Sequence, residues 1–166
     1  ERCKIDTPHI DKLAAEGIRF TDAHPNASVC VPTRVAIMTG RYPWRFANPG
    51  RGGPWGFLSP RFGEEVYTLG DALGDSGYHT GYVGKWHLGT RMVTTDGKMQ
   101  SPDNVNYRKP LLTGPLQHGF KYSFILPGSL DMYPYVFARN NVWQGEVTAQ
   151  KGWSAFNRVG PAEKDF

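Results

Sequence analysis

The chain has 166 residues and a formal charge of +4, and 39% of its residues are hydrophobic and 13% aromatic. These values are typical of a globular segment with one core and argue against a disordered chain. Lysines and arginines are scattered, so nucleic-acid binding is not favoured, whereas an anionic small molecule suits the mild positive charge. No apolar run approaches the length of a membrane span, and the first residues show no signal-peptide pattern.

The first predicted element is a helix over residues 7–17. Thr7 is its expected N-cap, Pro8 its first helical residue and Gly17 its end. Its apolar stripe consists of Ile10, Leu13 and Ala14. Apolar and polar residues then alternate over residues 18–23, which predicts a strand that leads into the next helix.

A cysteine precedes the second predicted helix, which Pro32 opens and Gly40 ends. Cys30 is therefore expected at the helix N-terminus, where unpaired backbone N–H groups and the helix dipole favour a bound oxyanion. Arg34 follows four residues later, and its planar set of N–H donors fits the oxygens of sulfate or phosphate. This stretch predicts a nucleophile and an anion site in one short segment, at the C-terminal end of a strand.

Arginines and aromatic residues are interspersed with glycines and prolines over residues 41–63. The residues concerned are Arg41, Arg45, Arg51, Arg61, Trp44 and Trp55. Such a segment suits a sugar or aryl subsite, since guanidinium groups and ring faces both stack on flat surfaces. An ordinary long surface loop is the alternative, and we take it as the default.

A third helix is predicted over residues 68–77, with Thr68 as its N-cap and Gly77 as its end. The residues expected to face inward are Leu69, Ala72 and Leu73. Residues 78–84 predict the strand that follows this helix.

Lys85 and His87 are expected at the C-terminal end of that strand. Two residues apart in an extended chain, they would face the same side of the strand. A single lysine or histidine at such a place is usually a surface residue. The same-side pair, close to the expected position of Cys30, favours a functional role for both.

Residues 90–117 are polar and rich in turn signals, so we predict a surface loop there. A strand and a turn follow over residues 119–131, and the tail beyond residue 147 shows no periodic pattern. Aromatic residues expected in the core or in loops are Tyr133, Tyr135 and Trp143. Cys3 is interpreted as a structural thiol or disulfide partner.

Two of these stretches resemble the signatures of the type I sulfatases. Cys30-x-Pro32-Thr33-Arg34, followed by four apolar residues and Thr-Gly, is similar to the first signature, although Val31 replaces the usual small residue. Residues 77–89, Gly-Tyr-His-Thr-Gly-Tyr-Val-Gly-Lys-Trp-His-Leu-Gly, resemble the second. Both occur in the family's order and with a family-like spacing, which makes the resemblance specific.

The resemblance implies an α/β fold of the alkaline-phosphatase and sulfatase type, with a central, mostly parallel sheet flanked by helices. Residues 1–166 are then expected to be an internal fragment of the catalytic domain, without its first strand and its C-terminal part. The isolated fragment is expected to be inactive. Family members are exported, which implies a periplasmic, secreted or lysosomal location.

The resemblance also implies hydrolysis of aryl or carbohydrate sulfate monoesters by a formylglycine that a separate maturation enzyme makes from the cysteine. The implied roles are Cys30 as nucleophile, Arg34 to orient the hydrated aldehyde, Lys85 to hold sulfate oxygens and His87 as the base for sulfate release. Family members bind one Ca²⁺ through oxygen-rich ligands, and of that ligand set only Cys30 can be named in this chain.

The turn over residues 127–131 is similar to a Pro-x-Ser-x-Asp turn of the family. By that likeness Ser129 is expected beside the active-site histidine. Asp131 either steers the substrate or caps the turn.

Two other functions remain open at this level. A phosphate or phosphonate monoester hydrolase of the same superfamily uses a similar anion site. A non-catalytic protein that binds sulfated glycans would keep the pocket, but it would not need the complete maturation sequence around Cys30. The expected partners are a sulfated small molecule or glycan and the maturation enzyme.

Overall fold

A computed structural model describes residues 5–46 and 55–148. The helices are α1 (Pro8–Glu16), α2 (Cys30–Thr39) and α3 (Leu69–Asp75), with short 3₁₀ segments at Pro43–Arg45, Trp55–Phe57 and Pro115–His118. The strands are β1 (Gly81–Lys85), β2 (Tyr122–Leu126), β3 (Phe137–Arg139) and β4 (Val142–Gln144). Cys3, Arg51 and the tail from residue 149 lie outside the described residues. Within the described ranges, no helix is long and apolar enough to cross a membrane.

The four strands form one mixed sheet in the order β1-β2-β3-β4. The β1–β2 pair is parallel and runs from Gly81 opposite Tyr122 to Lys85 opposite Leu126. The β2–β3 and β3–β4 pairs are antiparallel. The expected α/β class is confirmed. The parallel pair matters for the site because it brings the C-terminal ends of β1 and β2 to the same edge.

The β3–β4 hairpin is an element that the sequence analysis missed. Its two turn residues, Asn140 and Asn141, have φ of 47° and 66°. Asparagine tolerates this left-handed conformation, which two-residue hairpin turns require. Two asparagines between short apolar stretches were the signal in the sequence. Asn140 also holds the hairpin to β2, because its side-chain oxygen accepts a hydrogen bond from Ser123 N at 2.8 Å.

The predicted helices α1 and α3 are confirmed, with differences in detail. Thr68 and Asp71 form a reciprocal capping box at the start of α3, as the capping rule predicts. Thr7 precedes α1, but its hydroxyl donates to the Asp11 carboxylate instead of capping the backbone. Leu69 is 43% exposed and does not face inward as predicted.

Residues 18–23 do not form the predicted strand. Ile18 and Phe20 are 83% and 77% exposed, and no described strand pairs with this segment. A strand needs a neighbour to satisfy its backbone groups, and an alternating pattern alone does not supply one. The apolar stripe of α1 is likewise exposed, with Ile10 at 66% and Leu13 at 71%.

The predicted surface loop over residues 90–117 contributes to the core. The segment has only an isolated bridge between Thr94 and Val105 before its final 3₁₀ turn. Yet it buries Met92, Val105 and Leu111 in the same cluster as residues of the sheet. The most deeply buried large apolar side chains of the described chain are Trp86, Phe57, Leu88 and Ile125. The prediction was wrong because turn signals report backbone conformation and not burial.

One buried amide holds this segment to its neighbours. Gln100 Nε2 donates to the carbonyl oxygens of Phe57 at 2.9 Å and Thr90 at 2.7 Å. Its Oε1 accepts from Met92 N at 2.8 Å. Buried polar groups are tolerated when they are hydrogen-bonded. The Gln100 side chain therefore provides hydrogen-bond partners for backbone groups that have no partner in a helix or strand.

We expect Gln100→Glu to destabilise the protein by roughly 2–3 kcal/mol, because a buried carboxylate would face carbonyl oxygens and lose the amide donors. Denaturant unfolding followed by circular dichroism measures this change. Gln144→Glu is the matched control, since Gln144 is exposed, and its effect should stay within about 0.5 kcal/mol. Equal effects of the two changes would contradict the role given to Gln100.

The two glycines of α3 provide a second test. A Cβ on Gly70 would lie 2.2 Å from the His118 carbonyl oxygen and 2.8 Å from the Phe120 ring, whereas one on Gly74 would have its nearest neighbour, the Gly119 carbonyl oxygen, at 3.8 Å. Gly70→Ala should cost about 1–3 kcal/mol of unfolding free energy through overpacking. Gly74→Ala should add about 0.5–1 kcal/mol through better helix propensity. Thermal unfolding of both variants checks the opposite signs.

Candidate active site

The helix that carries the candidate nucleophile begins at Cys30, two residues earlier than predicted. Val29 precedes it in an extended conformation, and Gly40 ends it in the left-handed region with φ of 64°. Pro32 fits inside the first turn because its missing N–H is not needed there. Cys30 therefore lies within the first turn of α2, next to N–H groups that have no acceptor inside the helix.

Cys30 and His87 contact each other across the molecule. The Cys30 Sγ atom lies 3.4 Å from His87 Nδ1. Cys30 is half-buried, and His87 is 4% exposed. The two residues are 57 positions apart in the chain, so the fold, and not local sequence, brings the two motifs together.

His87 reaches this position because the chain turns out of the strand. β1 ends at Lys85, and His87 has a φ of 52°. The argument that Lys85 and His87 share one face of an extended strand is therefore wrong. His87 N donates instead to the Pro127 carbonyl oxygen at 3.0 Å, so the turn after β2 fixes the backbone of His87.

Arg34 connects the nucleophile helix to the end of β1. Its Nη1 donates to the Lys85 carbonyl oxygen at 2.6 Å and to the Tyr82 hydroxyl at 3.3 Å. The Tyr82 hydroxyl donates to the same Lys85 carbonyl oxygen at 2.8 Å. Arg34 Nε is buried, and the described part of the chain provides no hydrogen-bond acceptor for it. The sequence analysis did not select Tyr82, because nothing in a single sequence indicates this contact.

The environment of His87 is apolar and positively charged. Burial is the largest of the causes that lower the pKa of His87 to about 4. Three cations lower this pKa further, in the order Lys85, Arg34 and Arg61, while the Asp131 carboxylate acts in the opposite direction. At pH 7 the imidazole is therefore neutral, and its surroundings favour a bound anion.

The turn after β2 brings Ser129 and Asp131 to the same region. Ser129 is buried, and its hydroxyl donates a short hydrogen bond to the Asp131 carboxylate. Asp131 is exposed, yet its charge acts on His87. Asp131 thus stabilises the turn as a capping residue would and also contributes to the electrostatics of the site.

Two cavities share Arg61, and the first of them borders the helix turn that carries Cys30. The first has a volume of about 280 Å³ and the second about 440 Å³. The first is lined by Val31, Pro32, Val35, Pro43, Phe46 and Arg61. Val31, which follows the cysteine directly, is thus part of a wall of that cavity. Arg61 belongs to the segment taken by default as a surface loop, but its positive charge helps to lower the pKa of His87.

The residues that the structure describes do not form a calcium site on their own. Calcium takes about 6–8 oxygen ligands, with several carboxylates among them. Among residues 5–46 and 55–148, no group of three or more His, Cys, Asp or Glu side chains is arranged to hold a metal ion.

Together, fold and site define an α/β protein with a cysteine in the first turn of a helix, beside a neutral histidine and several cations. The Sulfatase family model matches residues 3–145. The chain belongs to the Sulfatase family, and the resemblance of its two motifs is confirmed.

Named relatives agree with this assignment. An N-acetylgalactosamine-6-O-sulfatase of Bacteroides thetaiotaomicron is 34% identical over 142 residues, or 82% of this chain and 25% of that protein. Arylsulfatase H of Canis lupus familiaris is 38% identical over 131 residues, or 76% of this chain and 21% of the relative. A solved structure from work on the metabolism of multiple glycosaminoglycans by B. thetaiotaomicron matches with a TM-score of 0.66 and 33% identity, over 84% of this chain and 27% of that chain. The chain therefore spans about a quarter of the length of these relatives.

Proposed function

We propose that the protein is a sulfuric ester hydrolase that cleaves aryl or carbohydrate sulfate monoesters, and that residues 1–166 are an internal part of its catalytic domain. The family and the names of the relatives support the reaction class. The chain spans only 25% of the length of one such relative, which supports the proposal that it is an internal part of a longer catalytic domain. We further propose that the whole protein is exported to the periplasm, the extracellular space or the lysosome.

The observation that carries this proposal is the contact between Cys30 and His87. The Sγ–Nδ1 distance of 3.4 Å places the side chain of residue 30 within reach of a neutral imidazole. A hydroxyl on residue 30 could then donate to His87 Nδ1, in the tautomer that carries its proton on Nε2. Such an acceptor suits the transfer of a proton from residue 30.

The surroundings of Cys30 fit a formylglycine at this position. Hydrated formylglycine, made by an oxidising maturation enzyme, would supply one hydroxyl to attack sulfur while the ester S–O bond breaks and the alcohol leaves. Loss of the proton of its second hydroxyl would then expel sulfate and restore the aldehyde. The chain's own residues then bind and orient. Lys85 holds sulfate oxygens, Arg34 orients residue 30 and spreads positive charge near the ester, and His87 accepts a proton from residue 30. Electrostatic stabilisation of this kind is commonly the largest catalytic contribution.

Ser129 and Asp131 complete the proposed substrate site. Both lie in the turn whose Pro127 carbonyl oxygen holds His87. We propose that Ser129 contacts the bound ester and that Asp131 limits how its alcohol part is placed. The cavity lined by Val31, Pro32 and Arg61 offers space for that alcohol part.

Replacing the nucleophile tests the proposal in the full-length protein that contains this chain. Cys30→Ala and Cys30→Ser should both abolish hydrolysis of an aryl sulfate, because a maturation enzyme that requires the thiol of residue 30 makes the aldehyde from neither residue. In the wild type, mass spectrometry of the peptide with residue 30 should show a loss of about 18 Da relative to cysteine. Ile37→Val, at an exposed position of the same helix, serves as control and should leave turnover unchanged.

Two results would contradict the proposal. One is full activity with an unmodified thiol after co-expression with the maturation enzyme. The other is faster turnover of an aryl phosphate than of the matched aryl sulfate, which would identify a phosphate or phosphonate monoester hydrolase instead.

A further inference from the structure

Tyr82 is the second residue of β1 and occupies a position of the second motif that was not predicted to be functional. Its ring packs edge-on against two aromatic residues, Trp86 at 5.1 Å and Phe120 at 5.3 Å between ring centroids. The interplanar angles are 85° and 82°. Edge-to-face packing on two sides restricts the ring to one orientation. The hydroxyl of Tyr82 therefore projects at a fixed place.

That place is the point where α2 meets the end of β1. The hydroxyl accepts from Arg34 Nη1 at 3.3 Å and donates to the Lys85 carbonyl oxygen at 2.8 Å. Arg34 Nη1 donates to the same carbonyl oxygen at 2.6 Å. The three groups form a closed triangle of hydrogen bonds, in which each of the two Nη1 protons has an acceptor.

We propose that Tyr82 is a positioning residue, which holds the Arg34 guanidinium in the orientation that the reaction at Cys30 requires. The inference rests on the proposed function, since it takes Arg34 as the group that orients residue 30. Tyr82 itself does not touch the reacting atoms. It acts through Arg34 and through the carbonyl group of Lys85.

The chemistry of the contact explains why a hydroxyl is needed. An arginine side chain has several rotatable bonds, and one carbonyl acceptor fixes a single N–H direction. A second acceptor on the same nitrogen fixes the plane of the guanidinium. Burial raises the pKa of Tyr82, so the hydroxyl keeps its proton and can donate to Lys85 while it accepts from Arg34.

Tyr82→Phe tests this role, because it removes the hydroxyl and keeps the ring between Trp86 and Phe120. In the full-length, matured enzyme we expect kcat for an aryl sulfate to fall about tenfold and KM to change less than about twofold. A loss confined to kcat is the signature of an interaction used in the transition state. The formylglycine content, measured by mass spectrometry, should equal that of the wild type, and rates are expressed per matured molecule.

Tyr107→Phe is the matched control. Tyr107 is a half-buried tyrosine that packs edge-on against Trp143, with the ring centroids 5.2 Å apart. The Tyr107→Phe substitution should leave kcat and KM unchanged. The unfolding temperature of all three proteins is measured in parallel, so that a purely structural role for Tyr82 is recognised.

The outcomes separate this inference from the function on which it rests. Wild-type kcat in Tyr82→Phe, or a lower unfolding temperature with unchanged kcat per matured molecule, would overturn the positioning role while leaving the sulfatase proposal intact. A larger KM with unchanged kcat would also overturn it, because the residue would then act in binding alone. A matured wild type that hydrolyses no sulfate ester would overturn the proposed function, and this inference with it.

Discussion

The hydrogen bond from Arg34 to the Lys85 carbonyl oxygen, at 2.6 Å, is the contact on which the site depends. It joins the helix that begins at Cys30 to the strand that ends at Lys85. A guanidinium is costly to bury without acceptors, so this carbonyl group and the Tyr82 hydroxyl together stabilise the charge in its half-buried place. A hydrogen bond to a charged group contributes about 1.5–3 kcal/mol when both partners are well placed. Loss of this contact would remove the hydrogen bond between α2 and the end of β1, while Val35 and Met38 of α2 would stay packed in the core.

The conformation of His87 depends on the sheet as well. A left-handed φ in a residue other than glycine costs of the order of 1–3 kcal/mol and persists only where the surroundings determine it. Here Trp86 N and His87 N continue the parallel pairing by donating to the carbonyl oxygens of Leu126 and Pro127, each at 3.0 Å. Trp86 is 1% exposed. Its burial fixes the backbone next to His87 and so helps to hold His87 in its left-handed conformation. The imidazole is thereby held against Cys30.

The chemistry of the site could be predicted from the sequence more fully than its geometry. A cysteine before Pro32 and Arg34, and a lysine two residues before a histidine, indicate a nucleophile among cations by residue type alone. The N-cap role of Thr68 is also a local feature and was predicted, whereas the reciprocal bond from Asp71 was not. Residues 18–23 show the opposite case, since their alternation is a strand pattern with no strand beside it in the described chain. Gln100 could not be found either, because its side chain bonds to backbone groups of its own irregular segment and of residues more than 40 positions earlier.

Tyr82 shows why the contacts that position the site residues could not be predicted from the sequence. It is the single aromatic residue of β1, and its alternation with Val83 gives only its side of the sheet. Its role arises from two relations between distant segments: Phe120 packs against its ring, and Arg34 approaches from a helix 48 residues earlier. Motif residues can be read from one sequence because the chemistry restricts their types. The residues that place them are restricted by shape and hydrogen bonding, which become visible only when the helix and the strand are seen together.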